Sequence, residues 1–486
     1  MKINVAPFLL PFYLLISTFL SAQSTSQLET VIQGLRQDPG LETAHWGFCV
    51  KEVQSGKVLA SYNPNQSLVT ASAMKAITTS TALLKMGEAY RYETVLGYRG
   101  KLNTGGVLEG DLIVKGTGDP TLGSDRFDAY PSAEQLIKTW GDAVLQRGIR
   151  IIEGNLIADA AHFSSQSTPG NWSWEDMGNY YGAGSWGINF HENLYYLDFK
   201  SGPTPGSATQ ILRTRPLVSD LSFTNEVKAG PRGSGDNAYI FGAPYSQERY
   251  VRGTIPPARN VFTIKGSLPN PPMFLLTEFR EYLRKCGITV KGKLSVAFSS
   301  TPGTITTLHT HHSPTLAEIA RETNYESINL YAESLLKSIA VQSGEKGTTD
   351  AGIDALISYW KSRGLDTKGM LLRDGSGLSP NNAVTPLQLA EILRLSYLGP
   401  SGRALYNSLP VAGISGTIKS MLKGTTAQGK IHMKSGYISH VRSYTGFVES
   451  RSGKTLVFAM MSNNYTCTSG RMRRLFERLM LAMERY

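Results

Sequence analysis

The sequence predicts an α/β domain divided by a long β-rich insertion. Three observations predict it. The chain opens with a strand hairpin followed by a helix, and it closes with helices around a second strand hairpin. Between them lies a stretch rich in Gly, Pro and aromatic residues, with only short strand-like runs. The 486 residues suggest about three domains at roughly 150 residues each. A composition of 41% hydrophobic and 18% charged residues is that of a globular chain.

Residues 1–22, "MKINVAPFLLPFYLLISTFLSA", carry one charge, Lys2, before an apolar run from Phe8 to Leu20. That pattern predicts a secretory signal peptide and export to the periplasm. The run is short for a membrane span of about 20 apolar residues. Three cysteines at scattered positions, Cys49, Cys286 and Cys467, are not a disulfide framework.

"HWGFCVKEVQSGKVLASYNPNQ" reads as strand, Ser55-Gly56 turn, strand. A helix follows, with Met74, Ile77 and Leu84 at helical spacing and Gly87 as its stop. From Tyr92 to about Leu122 the chain is Gly-rich and β-like, and "NLYYLDF" is a strand. "MFLLTEFREYLRKCG" predicts a helix and "ITVKGKLSVAF" one strand after it. Ser313-Pro314 predicts a helix cap with Pro at the first position. "SINLYAESLLK" predicts an amphipathic helix that carries Glu333. "VRSYTGFVES" and "KTLVFAMMSN" flank Arg451-Ser452-Gly453 as a hairpin, and the last helix shows Met472, Leu475, Phe476, Leu479 and Met483 on one face.

The net charge of +11 fits attraction to an anionic wall polymer or a membrane surface. Nucleic acid is the weaker partner, because the cations are dispersed; Arg471, Arg473, Arg474 and Arg478 form one solvated helix face.

The chemistry centres on "TASAMKAITT". A serine hydroxyl is a weak nucleophile until a base removes its proton. Lys75, three residues after Ser72, shares its helix face and can be that base if burial and a nearby like charge keep it neutral. The motif alone is loose, since Ser334 to Lys337 and Ser420 to Lys423 repeat it. Two further elements select Ser72: Ser327-Ile328-Asn329 and Lys434-Ser435-Gly436 follow it in order. Lys200-Ser201-Gly202 is a decoy that precedes Ser327 and runs into Pro203, which has no N–H to offer. Ser379-Pro380-Asn381 also falls between the outer motifs but lacks the helix context of Ser327. "SGKT" at 452–455 has Val448 where a phosphate-binding loop needs Gly. "HTHH" at 309–312 reads as a polar linker, not a metal site.

The roles then fit together. Lys75 takes the Ser72 proton, and Ser327 relays it to the leaving nitrogen. Asn329 binds the substrate amide. Lys434 supplies the like charge for Lys75 and a field for a substrate carboxylate, to which Ser435 offers a hydroxyl. The backbone N–H groups of Ser72 and of Tyr437, after Gly436, form an oxyanion hole.

At these residues the chain resembles the exported penicillin-binding proteins that act as D-alanyl-D-alanine carboxypeptidases and endopeptidases, low-molecular-mass class C. The long gap from Ser72 to Ser327 is similar to its large-insertion subgroup. "LIVKGTGDPTL", "GNLIADAAHF", "WEDMGNYYGA" and "RDGSGLSPNN" are similar too. The resemblance implies a penicillin-binding and β-lactamase-like domain, an antiparallel sheet flanked by helices, at 23–96 and 305–486. A β-rich second domain is expected at 97–165 and 260–304, with a third nested at 166–259. It implies no cofactor and no metal, peptidoglycan stem peptides and cross-bridges as substrates, and β-lactams as covalent inhibitors. Ser435 stands where the family pattern has Thr, and Tyr437 brings a large side chain to that strand. Asp374-Gly375-Ser376-Gly377 resembles a family signature, though a tight turn that demands Gly explains it first. The competing readings are a β-lactamase or esterase of the same fold and a non-catalytic wall-binding homologue.

Overall fold

The structure is a computed structural model and describes residues 27–300 and 303–486. The expected signal peptide lies outside the described residues. Among the described residues, no helix is long and apolar enough to cross a membrane.

The first and last thirds of the chain build one five-stranded antiparallel sheet. Its order is Ile431–Ile438, Val441–Glu449, Thr455–Asn463, His45–Glu52, Val58–Tyr62. Successive side chains of a strand point to opposite faces. Phe48 and Val50 therefore join Met472, Phe476 and Leu479 of the helix Ser469–Glu484, together with Leu28 and Ile32 of the helix at 27–36. Cys49, Val457 and Ala459 face the other way, into the helices Met74–Met86, Leu316–Tyr325, Asn329–Val341 and Pro386–Tyr397. Both faces are covered, which explains the nearly unbroken apolar run in Thr455–Asn463. All three cysteines are free thiols.

A seven-stranded sheet follows. Glu93–Leu102 pairs antiparallel with Val107–Gly116 and with Thr306–His312. Val107–Gly116 pairs parallel with Ile151–Ile152 and Leu156–Asp159. The helices Ala133–Gln146 and Pro271–Lys285 add Trp140 and Phe279 to its core, with ring centroids 5.7 Å apart. Beyond it lie a three-stranded sheet (Leu194–Ser201, Thr209–Arg215, Phe262–Ser267) and a four-stranded one around Glu248–Ile255.

Four local expectations are corrected. "HTHH" is the end of the strand Thr306–His312, paired to Glu93–Leu102, not a linker, so this stretch belongs to the seven-stranded sheet. The helix after it is capped by Thr315, whose side chain accepts from Glu318 N while Glu318 answers at Thr315 N. This reciprocal box outcompetes Ser313, whose hydroxyl instead accepts from Tyr92 N at 2.9 Å. The single strand expected near residue 290 splits into Thr289–Val290 and Leu294–Ala297, which pair with different partners. Finally, Asn329–Val341 is buried all round rather than amphipathic, because a segment of the insertion covers its outer face. There Lys337 Nζ donates to the carbonyls of Gln166 and Ser185, and the Ser334 and Ser185 hydroxyls meet at 2.8 Å.

Candidate active site

Ser72 lies in a 3₁₀ turn, Ala71–Ala73, that runs directly into the helix Met74–Met86. Lys75 is in the first turn of that helix and fully buried. Its Nζ reaches Ser72 Oγ at 3.1 Å, Asn329 Oδ1 at 2.5 Å and the Ser376 carbonyl at 2.7 Å. The chemistry of these partners is unequal. Asn329 Oδ1 and a carbonyl oxygen only accept, whereas a hydroxyl can also donate. A neutral amine gives its two hydrogens to the two obligate acceptors and keeps its lone pair for the Ser72 hydroxyl. Burial lowers Lys75 to about 7, against the opposing pull of Asp374 and Glu333. Burial is the first cause at Lys75; the two amines repel each other, and burial first and then Lys75 push Lys434 well below the usual range.

Lys434 Nζ donates to Ser327 Oγ at 2.9 Å and to the Ser435 carbonyl at 2.8 Å. Ser327 sits at φ +59°, in a left-handed conformation that a non-glycine residue adopts at a cost of roughly 1–3 kcal/mol and that functional sites retain. Asn329 gives one amide hydrogen to the Tyr181 carbonyl at 2.7 Å, which leaves its second hydrogen for a ligand. The structure thus gathers these residues into two hydrogen-bonded clusters, Ser72, Lys75 and Asn329 in one and Ser327 and Lys434 in the other, with the Lys75 charge felt at Lys434.

Gly436 brings the strand against the Ser72 turn. A Cβ there would stand 2.6 Å from the Thr70 carbonyl oxygen and 2.9 Å from Ala73 N. Ser443, its cross-strand partner, donates to the same Thr70 carbonyl. Ser435 faces away from Lys434, and its hydroxyl meets Thr417 Oγ1 at 2.9 Å. Tyr437 follows, exposed, with the Arg442 guanidinium 4.4 Å from its ring centroid.

The decoys separate from these clusters. Lys337 serves insertion carbonyls, not Ser334. Ser420 and Lys423 are exposed, and Lys200-Ser201 ends a strand of the three-stranded sheet. Among the described residues, no group of three or more His, Cys, Asp or Glu is arranged to hold a metal ion.

Sequence reasoning missed part of the site. The Asp374–Gly377 turn is more than a tight turn. Its Ser376 carbonyl anchors Lys75, and its Gly375 and Ser376 N–H groups donate to the buried Glu333 carboxyl. Burial, then Asp374, raises Glu333 above the ordinary carboxylate range. Asp374 itself accepts from Gly377 N, Ser379 N, Asn382 Nδ2 and Trp172 Nε1. Trp172 and Tyr181 come from the insertion. Tyr181 lies in a stretch that carried resemblance and Trp172 just before it, but the backbone carbonyl of Tyr181 leaves no trace in a residue type.

A serine paired with a buried lysine, a second serine paired with a second lysine, and a sheet edge laid against the first serine define a serine acyl-transferring hydrolase. Residues 28–480 match the D-Ala-D-Ala carboxypeptidase 3 (S13) family, and the chain belongs to that family. It is a serine-type D-Ala-D-Ala carboxypeptidase. The chain is 30% identical over 461 residues to the D-alanyl-D-alanine carboxypeptidase of Actinomadura sp. (strain R39), covering 92% of this chain and 82% of the relative. Its fold matches the crystal structure of penicillin binding protein 4 (dacB) from Haemophilus influenzae. The TM-score is 0.77 at 23% identity, over 93% of this chain and 97% of the other. The same Haemophilus protein complexed with a novel β-lactam matches with TM-score 0.73 at 22% identity, over the same shares. The expected fold, a penicillin-binding and β-lactamase-like domain with an antiparallel sheet between helices, is the one observed.

Proposed function

We propose that Ser72 is the nucleophile of this carboxypeptidase and that it acts on peptidoglycan stem peptides ending in D-Ala-D-Ala. The observation that carries the reading is the Lys75 amine, whose two acceptor partners orient its lone pair at Ser72 Oγ, 3.1 Å away. As Oγ attacks the carbonyl carbon of the penultimate D-Ala, its proton passes to Lys75. The N–H groups of Ser72 and Tyr437 hold the developing oxyanion, each worth about 3 kcal/mol. Ser327 then hands a proton to the leaving nitrogen as the C–N bond breaks, and Lys75 replaces that proton. This frees terminal D-Ala, or the acceptor strand of a cross-bridge, and leaves an ester on Ser72. Water attacks the ester, gives its proton back through Lys75, and restores the hydroxyl. Asn329 donates its free amide hydrogen to the substrate backbone. The Ser435 hydroxyl is offered to the terminal carboxylate, Lys434 adds only an attractive field from the other face of the strand, and Gly436 keeps the substrate strand close.

β-Lactams present a carbonyl that opens onto the same hydroxyl, so they acylate Ser72 covalently; the β-lactam complex of the Haemophilus protein supports this. The leader at 1–22 takes the enzyme to the periplasm, where this substrate lies. The chain divides into a catalytic domain around the five-stranded sheet, a second domain at 97–165 and 260–304, and a third at 166–259. The strand Thr306–His312 completes the second.

The test is labelling with a fluorescent penicillin. Wild type gains one long-lived label per chain, and Ser72→Ala gains none. Rapid loss of the label would point to a β-lactamase instead, and an unlabelled wild type would end the reading.

A further inference from the structure

Lys75 becomes a cation each time it takes a proton, and it is fully buried, so solvent cannot spread that charge. Among the described residues, three titratable groups bear on it: Lys434 from the strand Ile431–Ile438, Glu333 from the helix Asn329–Val341, and Asp374 from the turn that carries the Ser376 carbonyl. Lys434 repels a charged Lys75, so only the two buried carboxyls can offset it. Their surroundings differ. Asp374 is 0% exposed, and each of its oxygens takes two donors. Gly377 N and Asn382 Nδ2 reach Oδ1 at 2.7 and 2.8 Å, and Ser379 N and Trp172 Nε1 reach Oδ2 at 2.7 and 2.8 Å. No acceptor position is left for a proton, and all four donors are uncharged, so the negative charge is stabilised without being neutralised. Glu333 takes its close contacts on Oε1, from Gly375 N at 3.0 Å and Ser376 N at 2.8 Å. Only the longer leg from Gly375 N, at 3.2 Å, falls on Oε2, which has room for a proton. Burial, then Asp374, raises this carboxyl above the ordinary range; the Ser376 and Gly375 N–H groups and, least, Lys337 oppose the rise.

Asp374 reaches the base through one peptide unit. The Ser376–Gly377 amide gives its N–H to Asp374 Oδ1 at 2.7 Å and accepts the Lys75 amine on its carbonyl at 2.7 Å. A hydrogen bond at one end of an amide polarises the group and strengthens the bond at the other end. The amide is also fixed in place. A Cβ on Gly377 would stand 1.8 Å from the Ala71 carbonyl oxygen, so the unit lies directly on the turn that carries Ser72. Thr78, on the same helix as Lys75, donates its hydroxyl to the Gly375 carbonyl at 2.7 Å. Asp374, the amide, Lys75 and Ser72 Oγ thus form one hydrogen-bonded line.

We propose that Asp374 is a positioning residue and the counter-charge of the base, acting through the Ser376–Gly377 amide to stabilise Lys75 as it accepts the Ser72 proton. The inference rests on the reading of Ser72 as nucleophile and Lys75 as its base, and it adds what sets the strength of that base. A buried amine with no anion near it stays neutral but holds a proton poorly. With Asp374 behind the amide, the cation that forms during attack is offset, while the resting amine is still free to act. The proton moves from Ser72 Oγ to Lys75 Nζ and later on toward Ser327. Asp374 takes no proton at any step and keeps its charge throughout.

The test is the pH profile of acylation by fluorescent penicillin in the full chain, with a thermal melt of each variant. Asp374→Asn keeps an acceptor for Gly377 N–H and removes the charge. An opposite charge nearby shifts a pKa by about 1–3 units, so the limb near 7 should move down by about one unit. A base weaker by about one unit is slower by at most about tenfold, so the plateau falls by up to that factor. Near pH 5 the variant is then as fast as wild type or faster, whereas near pH 8 it is slower. Slower labelling at every pH with the limb in place would show a structural role only and overturn the assignment. Glu333→Gln is the second variant. Its Oε1 still accepts from both N–H groups, and its limb should stay at the wild-type position. A limb that moves down in Glu333→Gln would place the counter-charge on Glu333 and overturn the proposal, even should Asp374→Asn fail to fold. An unmoved limb leaves Asp374 as the buried carboxylate that acts on Lys75 and supports it. A wild type that takes no label, or a limb that persists in Lys75→Met, would overturn the reading of Ser72 and Lys75 and this inference with it. A labelled wild type whose limb depends on Lys75 but not on Asp374 would overturn this inference alone.

Discussion

Lys75 Nζ donates to the Ser376 carbonyl at 2.7 Å, so a turn 301 residues further along the chain fixes the amine beside the nucleophile. The position of the base is thus decided by tertiary packing, while its spacing from Ser72 is decided by one helical turn. Lys75→Met keeps the length and apolar stem of the side chain and removes the base. Acylation by penicillin should fall by roughly 10²–10⁴-fold, the usual contribution of a positioned base, with the folded state retained. Stopped-flow labelling together with a thermal melt checks both halves.

The pH dependence follows from the same amine. Lys75 titrates at about 7 in the folded protein and near 10.5 when exposed. The reactive form is neutral, so kcat/KM should climb by about tenfold per pH unit below 7 and level off above it. The stability contribution has a definite sign. Between about 7 and 10.5 the unfolded chain binds the proton that the folded one has released, so stability rises with pH through that window. In Lys75→Met this rise should vanish, read as the difference in melting temperature between the two proteins at pH 7 and pH 9.

Gly436 can be only glycine for a reason of distance, not of backbone angle. A Cβ would press on the Thr70 carbonyl and Ala73 N, and would fall 2.2 Å from Ser443 Oγ. Gly436→Ala must therefore push the strand away from the turn that carries Ser72. A displacement of about 1 Å at reacting groups costs on the order of 10²-fold in rate. The acylation rate should drop by that order while penicillin still labels at long times. Wild-type rates in Gly436→Ala would mean that the strand does not position the substrate.

The insertion reaches the catalytic machinery through Trp172, whose Nε1 donates to the buried Asp374 carboxylate at 2.8 Å. Trp172→Phe leaves that oxygen with one partner fewer. An unsatisfied buried group costs about 1–3 kcal/mol. Denaturant unfolding should show a loss of this size, and acylation should slow, because the Asp374 turn carries the Ser376 carbonyl. A loss of stability with unchanged acylation would confine Trp172 to a structural role.

The reach of sequence reasoning follows the range of each interaction. Ser72 and Lys75 were legible because one helical turn joins them, and the closing hairpin was legible because Arg451-Ser452-Gly453 marks its turn. The order of the three motifs carried the rest of the catalytic set. What sequence could not show was the cause of the shift at Lys75. A motif places Lys434 near it, but burial beneath the Asp374 turn depends on a fold and on no local pattern. The helix Asn329–Val341 misled for a related reason. An amphipathic helix is expected to keep its polar residues in solvent, yet the insertion supplies a carbonyl to Lys337 and a hydroxyl to Ser334, which lets that face be buried. Thr306–His312 misled because its polar run shows no alternation of apolar and polar residues, and its pairing with Glu93–Leu102 makes it a strand.

Lys337 separates motif from mechanism. Ser334-x-x-Lys337 has the same spacing as Ser72-x-x-Lys75, and burial lowers both lysines, Lys337 to about 8. The difference lies in their partners. Lys337 gives its hydrogens to the Gln166 and Ser185 carbonyls and stands 5.7 Å from the Phe163 ring centroid, so it is a tie to the insertion. Lys337→Met should therefore leave two buried carbonyls short of a donor and lower stability by about 1–3 kcal/mol each at most. Local opening should concentrate in residues 163–185, seen as faster amide exchange there. The pH limb near 7 should persist in this variant, since Lys75 keeps all three of its partners. Loss of that limb in Lys337→Met, with the limb intact in Lys75→Met, would reverse the assignment of the base.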